Sequence, residues 1–487
     1  MTRSKRRGAA SKPLIDSLKT GAVRISDQYG EQIRATSVAK EFSKSLIHTG
    51  DLELDLNMRP TIGSRITLIG EQHMGKTVSA YRLMGALQRT CRQCFTPIIP
   101  FLNDETGEVV TTCECGQNDG CTAVYFDLEN EFDPGWAKTL GVQGLDTDVN
   151  DFEEAIDGLN VSPDAKFAVC RVTSAEQAAI LIEHLMSDNS ADCVVLDSIA
   201  SLNPDENRQG KQQPAAVARA LSRFIPKLLA AQSEAWIRDG VAPTFIATNQ
   251  YRTNINVMNP KADPRVSAGG KAYQYGNMQE WQIYSRYNEG ITDRTMPNMF
   301  SDMRYTAKKD KQTGNTNAQG VVRLFLKPFT RNRLSYEAGE TNNPEILFDI
   351  LKTFASDLED DRWYMKKGAN HFVLGQKFQT AQAIKEFLRR PDIAFQLQLP
   401  IMARLLPASV RIHLDVGKFS YNPHPLPVLK ELIDETQESV GSSAARDVGK
   451  RSWMDERYQT ASETPDQAEG PVDPFEEQPE PEAGSEA

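Results

Sequence analysis

The chain has 487 residues, 39% hydrophobic and 25% charged, enough for two or three domains around a sizeable core. No apolar run approaches the ~18–20 residues that span a bilayer, so a cytoplasmic protein with no membrane partner is expected. The net charge of −11 does not exclude nucleic acid, because nine carboxylates and no lysine or arginine follow Arg457, which leaves the remainder nearly neutral.

In chain order, residues 1–47 read as an N-terminal arm with a basic start (Arg3, Lys5, Arg6, Arg7). Residues 48–340 read as the core. His48–Leu56 alternates apolar and polar residues, which predicts a strand and turn. An apolar strand-like run, Ile66–Ile69, then enters Gly70-Glu71-Gln72-His73-Met74-Gly75-Lys76-Thr77, a G-x-x-x-x-G-K-[ST] phosphate loop. The two glycines let the backbone curl so that its N–H groups face phosphate oxygens. Lys76 brings positive charge to the β- and γ-phosphates, and the Thr77 hydroxyl ligates magnesium. From Val78 onward a helix is predicted, with Ala80, Leu83, Met84 and Leu87 on one face. The chain is therefore expected to bind a nucleoside triphosphate through Gly70–Val78.

Five of the seven cysteines lie between Cys91 and Cys121, in an insertion spanning 91–121. Clustered cysteines in a long chain with no signal peptide point to metal rather than disulfides. Zinc takes four tetrahedral ligands, and paired cysteines on two turns supply them. Cys91, Cys94, Cys115 and Cys121 are the favoured structural set, with Cys113 as the substitute. Asp104–Glu108 reads as the hairpin turn between the pairs.

Beyond the insertion, Ala123–Asp127, Phe167–Val172, Cys193–Asp197 and Thr244–Thr248 read as buried parallel strands. Helix-like stretches near 151–158, 175–187 and 214–232 separate them, the rhythm of an α/β fold. Two polar, partly basic loops, 203–214 and 251–271, follow two of these strands without periodicity and are expected to be functional. Val321–Lys327 returns to strand character. Residues 341–436 read as a small mixed domain with a helix at Ala381–Leu388, and 437–487 as a disordered acidic tail.

Hydrolysis needs more than a phosphate loop. Asp197, closing an apolar strand, is placed as the magnesium-orienting acid. Glu129, just beyond the strand ending at Asp127, can orient the attacking water. Gln250, ending the next strand, can reach the γ-phosphate and opens into the second loop.

With those residues in place, the chain resembles the RecA family of DNA recombinases over roughly 48–390. Thr49–Asp55, Phe126–Val142, Leu196–Pro204, Thr248–Arg252 with Gly269-Gly270-Lys271, and Trp363–Gly368 with the helix to Arg390 carry the likeness. The resemblance implies an α/β fold: a RecA-like P-loop ATPase core with a mostly parallel central sheet. To this are added the zinc-binding insertion, the small mixed C-terminal domain and the disordered acidic tail.

It further implies a head-to-tail helical filament on single-stranded DNA, ATP and Mg2+ between subunits, and pairing with double-stranded DNA in strand exchange. A single-strand-binding protein or loader is a further partner it implies. Glu129 would activate water, Gln250 would couple the γ-phosphate to the second loop, and Asp133 and Trp136 would lie near the adenine. Lys327 matches one of two lysines that reach a neighbour's ATP; Phe329 stands at the other. DNA contacts would come from Arg208, Lys211, Arg252, Lys261, Arg265, Gly269, Gly270 and Lys271. His73 and Met74 replace the family's small hydroxyl residues. These departures and the insertion lead to the expectation of a bacteriophage recombinase working in the host cytoplasm or nucleoid. The competing readings are a helicase or repair ATPase on the same core, and a DNA-binding filament protein that uses ATP only as an assembly switch.

Overall fold

A computed structural model describes residues 46–102, 109–113, 115–145, 166–188, 190–205, 216–239, 241–253, 265–267, 270–287, 299–331, 334–405, 431, 432 and 435. Strand β1 (Arg65–Gly70) runs through the middle of a nine-stranded sheet and feeds helix α2 (Lys76–Gln88) through the phosphate loop. Strands β4 (Ala123–Asp127), β5 (Phe167–Cys170), β6 (Cys193–Asp197), β7 (Thr244–Thr253) and β9 (Gln279–Tyr287) lie parallel to it. Strands β10 (Phe300–Asp310) and β11 (Gln319–Phe325) finish one side antiparallel, giving the order β11-β10-β9-β1-β7-β6-β4-β5. The expected mostly parallel sheet is thus present.

The continuous apolar runs have a direct cause: both faces of the sheet are covered. Ile66, Leu68, Tyr125, Val195 and Ile246 point to one side and pack with Tyr81, Leu83, Met84 and Leu87 of α2. Phe126, Val194, Leu196, Phe245 and Ala247 point to the other. There they meet α4 (Ala175–Ser187) and α5 (Ala216–Asp239). Ser174 caps α4 by accepting from the Gln177 N–H at 3.2 Å. The helix expected near 151–158 lies outside the described residues.

Two expectations need correction. His48–Leu56 is not a strand: Leu52–Asn57 forms helix α1, and all six residues are buried. Alternation signals a strand only when one face is wet, and here neither is. The Asn343 side chain of α7 (Asn343–Asp357) accepts from the Leu52 N–H at 3.0 Å, while Asp51 holds Arg82 and Thr341. The second long loop is also not structureless at its roots. β7 continues to Thr253, β8 (Arg265–Ser267) pairs back on it, and α6 (Gly270–Gly276) follows.

Within 91–121, β2 (Ile99–Leu102) and β3 (Val109–Thr112) form the anticipated hairpin; its connection 103–108 lies outside the described residues. Strands β12 (Phe329–Arg331) and β13 (Leu334–Tyr336) make a second small hairpin. In the C-terminal region, α7 packs on the three-stranded sheet of β14 (Tyr364–Lys367), β15 (Asn370–Val373) and β16 (Gln376–Phe378), with Trp363 buried edge-on against Phe354. Helices α8 (Ala381–Leu388) and α9 (Pro391–Leu405) follow.

Candidate nucleotide site and cysteine cluster

Parallel strands deliver their C-terminal ends to one edge, where ligands of open α/β sheets bind. At that edge β1 supplies the phosphate loop, β4 the turn bearing Glu129, β6 Asp197, and β7 Gln250. The register sets them side by side: Gly70 faces Gln250 across β1 and β7, and Asp127 faces Asp197 across β4 and β6.

The loop's glycines are sterically required. Gly75 has φ +82°, a left-handed conformation that side chains strain, and it caps the N-terminus of α2. A Cβ on Gly70 would stand 2.6 Å from the Ile283 carbonyl oxygen. Lys76 is buried and donates to the Glu71 carbonyl within the loop. Burial lowers its pKa, opposed by Asp197, Glu129 and Glu71. A buried ammonium beside free helix N–H groups is a receptor for phosphate.

Asp197 is almost enclosed by hydroxyl donors. Its Oδ2 accepts from Thr77 Oγ1 at 2.8 Å and Tyr125 OH at 2.5 Å, and its Oδ1 accepts from Thr248. Burial raises its pKa, opposed by the hydrogen bonds of Thr248, Tyr125 and Thr77. The Thr77 hydroxyl and a carboxylate oxygen in contact form the hard-oxygen pair that magnesium takes. The Asp197–Ser198 peptide bond is cis.

The turn bearing Glu129 is fixed by its neighbours. Asp127 accepts from the N–H groups of Glu131 (3.0 Å) and Phe132 (3.3 Å), and Leu128 N–H donates to the Asp197 carbonyl at 2.9 Å. Arg171 pairs with Asp127 at 3.2 Å. Glu129 Oε1 in turn accepts from Ser198 Oγ, from Ser201 Oγ at 2.7 Å and, at longer reach, from Gln250 Nε2 at 3.5 Å. The sequence reading missed Tyr125, Thr248, Ser198 and Ser201. Three of them neighbour a strand-end acid or amide in the chain, the one signal available.

Other expected site residues stand apart from this cluster. Asp133 is exposed and caps α3 (Pro134–Thr139) by accepting from the Trp136 N–H at 2.9 Å, while the half-buried Trp136 ring packs on the core. Lys327 is exposed beyond β11, with β10 and β9 between it and β1. The opposite edge of the sheet carries cations that the sequence reading passed over. Lys309 donates to the Gln274 carbonyl and Lys311 to that of Tyr275 at 3.3 Å. Of the loop residues, Arg252 lies on β7, Arg265 on β8, and Gly270 and Lys271 open α6. Arg208, Lys211, Lys261 and Gly269 lie outside the described residues.

The cysteine cluster corrects the favoured ligand set. The sulfurs of Cys91, Cys94, Cys113 and Cys115 all lie within 4.8 Å of one another, with Cys113–Cys115 at 3.5 Å and Cys91–Cys115 at 3.6 Å. A tetrahedral site with Zn–S bonds of 2.3 Å separates its sulfurs by about 3.8 Å. The set therefore fits zinc. Cys121 stands outside the cluster: its N–H bonds the Thr90 carbonyl at 3.0 Å, and burial pushes its thiol up. Two turns present the four ligands, one closed by Phe95 N–H to Cys91 O (2.8 Å) and one by Gly116 N–H to Cys113 O (3.0 Å).

Comparison with known proteins agrees with this geometry. The RecA N-terminal domain family matches residues 104–299, a span that holds Glu129, Asp197 and Gln250 and begins after the phosphate loop. Protein RecA of Xanthomonas axonopodis pv. citri (strain 306) is 34% identical over 166 residues, covering 33% of this chain and 40% of that protein. Protein RecA of Rhodopirellula baltica is 26% identical over 265 residues, 53% of this chain and 56% of the relative. Protein RecA of Chlorobium limicola is 30% identical over 162 residues, 33% and 38% respectively. The chain thus spans from about two-fifths to just over half of these relatives. The chain resembles the RecA family over residues 104–299, less than half of its length, and its phosphate loop and three partner groups assemble on one sheet edge.

Proposed function

We propose that this chain is a DNA-dependent ATPase that assembles head to tail on single-stranded DNA and promotes homologous pairing and strand exchange with duplex DNA. One observation carries the reading: Gln250 touches Glu129 at the nucleotide edge, and β7 runs on from Gln250 into the second basic loop. Events at the γ-phosphate and at the DNA-facing loop therefore share one strand. Thr77 and Asp197 hold magnesium, which neutralises charge at the β- and γ-phosphates. Lys76 binds the phosphates, Glu129 accepts a proton from the attacking water, and Asp133 and Trp136 border the base. Arg252, Arg265 and Lys271, with Arg208, Lys211 and Lys261, meet DNA phosphates.

In a head-to-tail stack, the edge opposite one subunit's nucleotide faces the next subunit. Lys309 and Lys311 stand on that opposite edge, whereas Lys327 shares the nucleotide edge. The two former lysines are the better supported donors to a neighbour's ATP. Cys91, Cys94, Cys113 and Cys115 form a structural zinc site, since four thiolates leave no position for water.

Electron microscopy with single-stranded DNA and a non-hydrolysable ATP analogue, paired with a strand-exchange assay, tests the assignment. A helical filament and ATP-dependent exchange are expected. Rings would point to a helicase, and full exchange by a Glu129→Gln variant would reduce ATP to an assembly switch.

A further inference from the structure

Asp197 is held from three elements at once. Thr77 of α2 and Tyr125 of β4 donate to its Oδ2 at 2.8 Å and 2.5 Å, and Thr248 of β7 donates to its Oδ1. With Thr77 read as a magnesium ligand, the Tyr125 and Thr248 hydroxyls have no task yet assigned. Both side chains are buried, at 1% and 0% exposure. Strands covered on both faces ordinarily carry apolar residues at such positions, and phenylalanine or valine would fill the same space.

The Tyr125 ring is fixed independently of its hydroxyl. It lies 5.4 Å from the Tyr81 ring and 5.1 Å from the Phe132 ring, in the core beneath α2. The phenol therefore reaches Asp197 from a seat that packing holds, and it stays protonated at neutral pH. Thr248 is β-branched, which restricts its χ1, and β7 is paired to the Asp197 strand through Ala247 and Leu196. The terminal torsion of an aspartate, by contrast, is broad. A strand-end carboxylate keeps one orientation only if donors engage both oxygens. It offers about four acceptor sites, and the three hydroxyls take three of them.

We propose that Tyr125 and Thr248 are positioning residues that fix the Asp197 carboxylate in the orientation that meets magnesium. The affinity of the nucleotide complex for the metal then depends on two buried hydroxyls that are not themselves metal ligands. The proposal rests on the reading of Thr77 and Asp197 as the magnesium pair. Without the two hydroxyls the carboxylate samples other orientations, and the metal must select the productive one at a cost in affinity.

Binding of a fluorescent ATP analogue to full-length protein, with magnesium in excess and with EDTA, tests this. By the thermodynamic cycle, the ratio of the two dissociation constants reports how much more tightly the metal binds the protein complex than the free analogue. Tyr125→Phe should lower that ratio about ten-fold, the lower end of the loss usual when a metal-binding carboxylate loses an outer hydrogen-bond partner. Thr248→Val should do the same, and Thr248→Ser, which keeps the hydroxyl, should restore the unsubstituted ratio. In EDTA every variant should bind the analogue as the unsubstituted protein does. If Thr248→Val folds poorly, Tyr125→Phe, which keeps the ring and its packing, decides alone. An unchanged ratio, a raised one, or an equal loss with and without magnesium would overturn the proposal. An unsubstituted protein whose affinity ignores magnesium would instead refute the underlying reading.

Discussion

Replacing Asp55 with asparagine should stabilise the protein at alkaline pH and change it little in acid. Asp55 is fully buried on α1; its Oδ1 accepts from Thr49 N–H at 3.0 Å and Thr49 Oγ1 at 2.8 Å. Its other oxygen lies 3.9 Å from His48 Nδ1. Burial pushes the carboxyl from 3.8 up to about 8, against the hydrogen bonds of Thr49, and burial lowers His48 from 6.5 to about 4. Between those limits both groups are buried uncharged. The unfolded chain releases the Asp55 proton near 3.8 while the native protein keeps it to about 8. The stability from this group is thus complete below 3.8 and lost as pH rises through 8.

At ~1.4 kcal/mol per pH unit, the loss between pH 5 and pH 8 is about 4 kcal/mol. Asparagine keeps the shape and both Thr49 bonds but does not titrate. Its advantage over the unsubstituted protein should therefore grow by about 4 kcal/mol over that interval. Urea unfolding of both proteins at the two pH values measures this. A pH-independent difference, or an asparagine variant that loses ground as pH rises, would refute the reasoning and indicate an ionised Asp55 paired with charged His48.

Further outcomes are expected at the site and its surroundings. Glu129→Gln preserves the acceptor for Ser198 and Ser201 but not basicity, so ATP binding should persist while turnover falls ~10²–10⁴-fold in a steady-state assay; Lys76→Ala should lose nucleotide affinity itself. Neutralising Arg252 and Lys271 should weaken single-strand binding and lower the salt slope by about one unit per lost phosphate contact, read by fluorescence anisotropy. Cys113→Ser should release zinc and make 91–121 protease-sensitive, whereas Cys121→Ser should keep about one zinc per chain by elemental analysis. Deleting 458–487 should strengthen DNA binding most at low salt, where its nine carboxylates are least screened; equal affinities there would limit the tail to a solubilising role.

The sequence by itself determined the parts whose chemistry is local. A phosphate loop needs glycines at fixed spacing beside a lysine and a hydroxyl, so Gly70–Thr77 was readable without any fold. The strands ending at Asp127 and Asp197 were readable because a sheet covered on both faces makes unbroken apolar runs, and α4 because its apolar side repeats with the helical period. What only the tertiary structure decided depends on separations that sequence distance does not encode. Cys113, not Cys121, joins the four-sulfur cluster because the hairpin folds its strand end back onto Cys91, while the Cys121 N–H bonds the Thr90 carbonyl. Leu52–Asn57 is a helix because the sheet edge and α7 bury it from every side, which erases the wet face that alternation assumes. Ser201 lies 72 residues from Glu129 in sequence yet bonds its carboxylate at 2.7 Å, since β4 and β6 are neighbours only in the folded sheet.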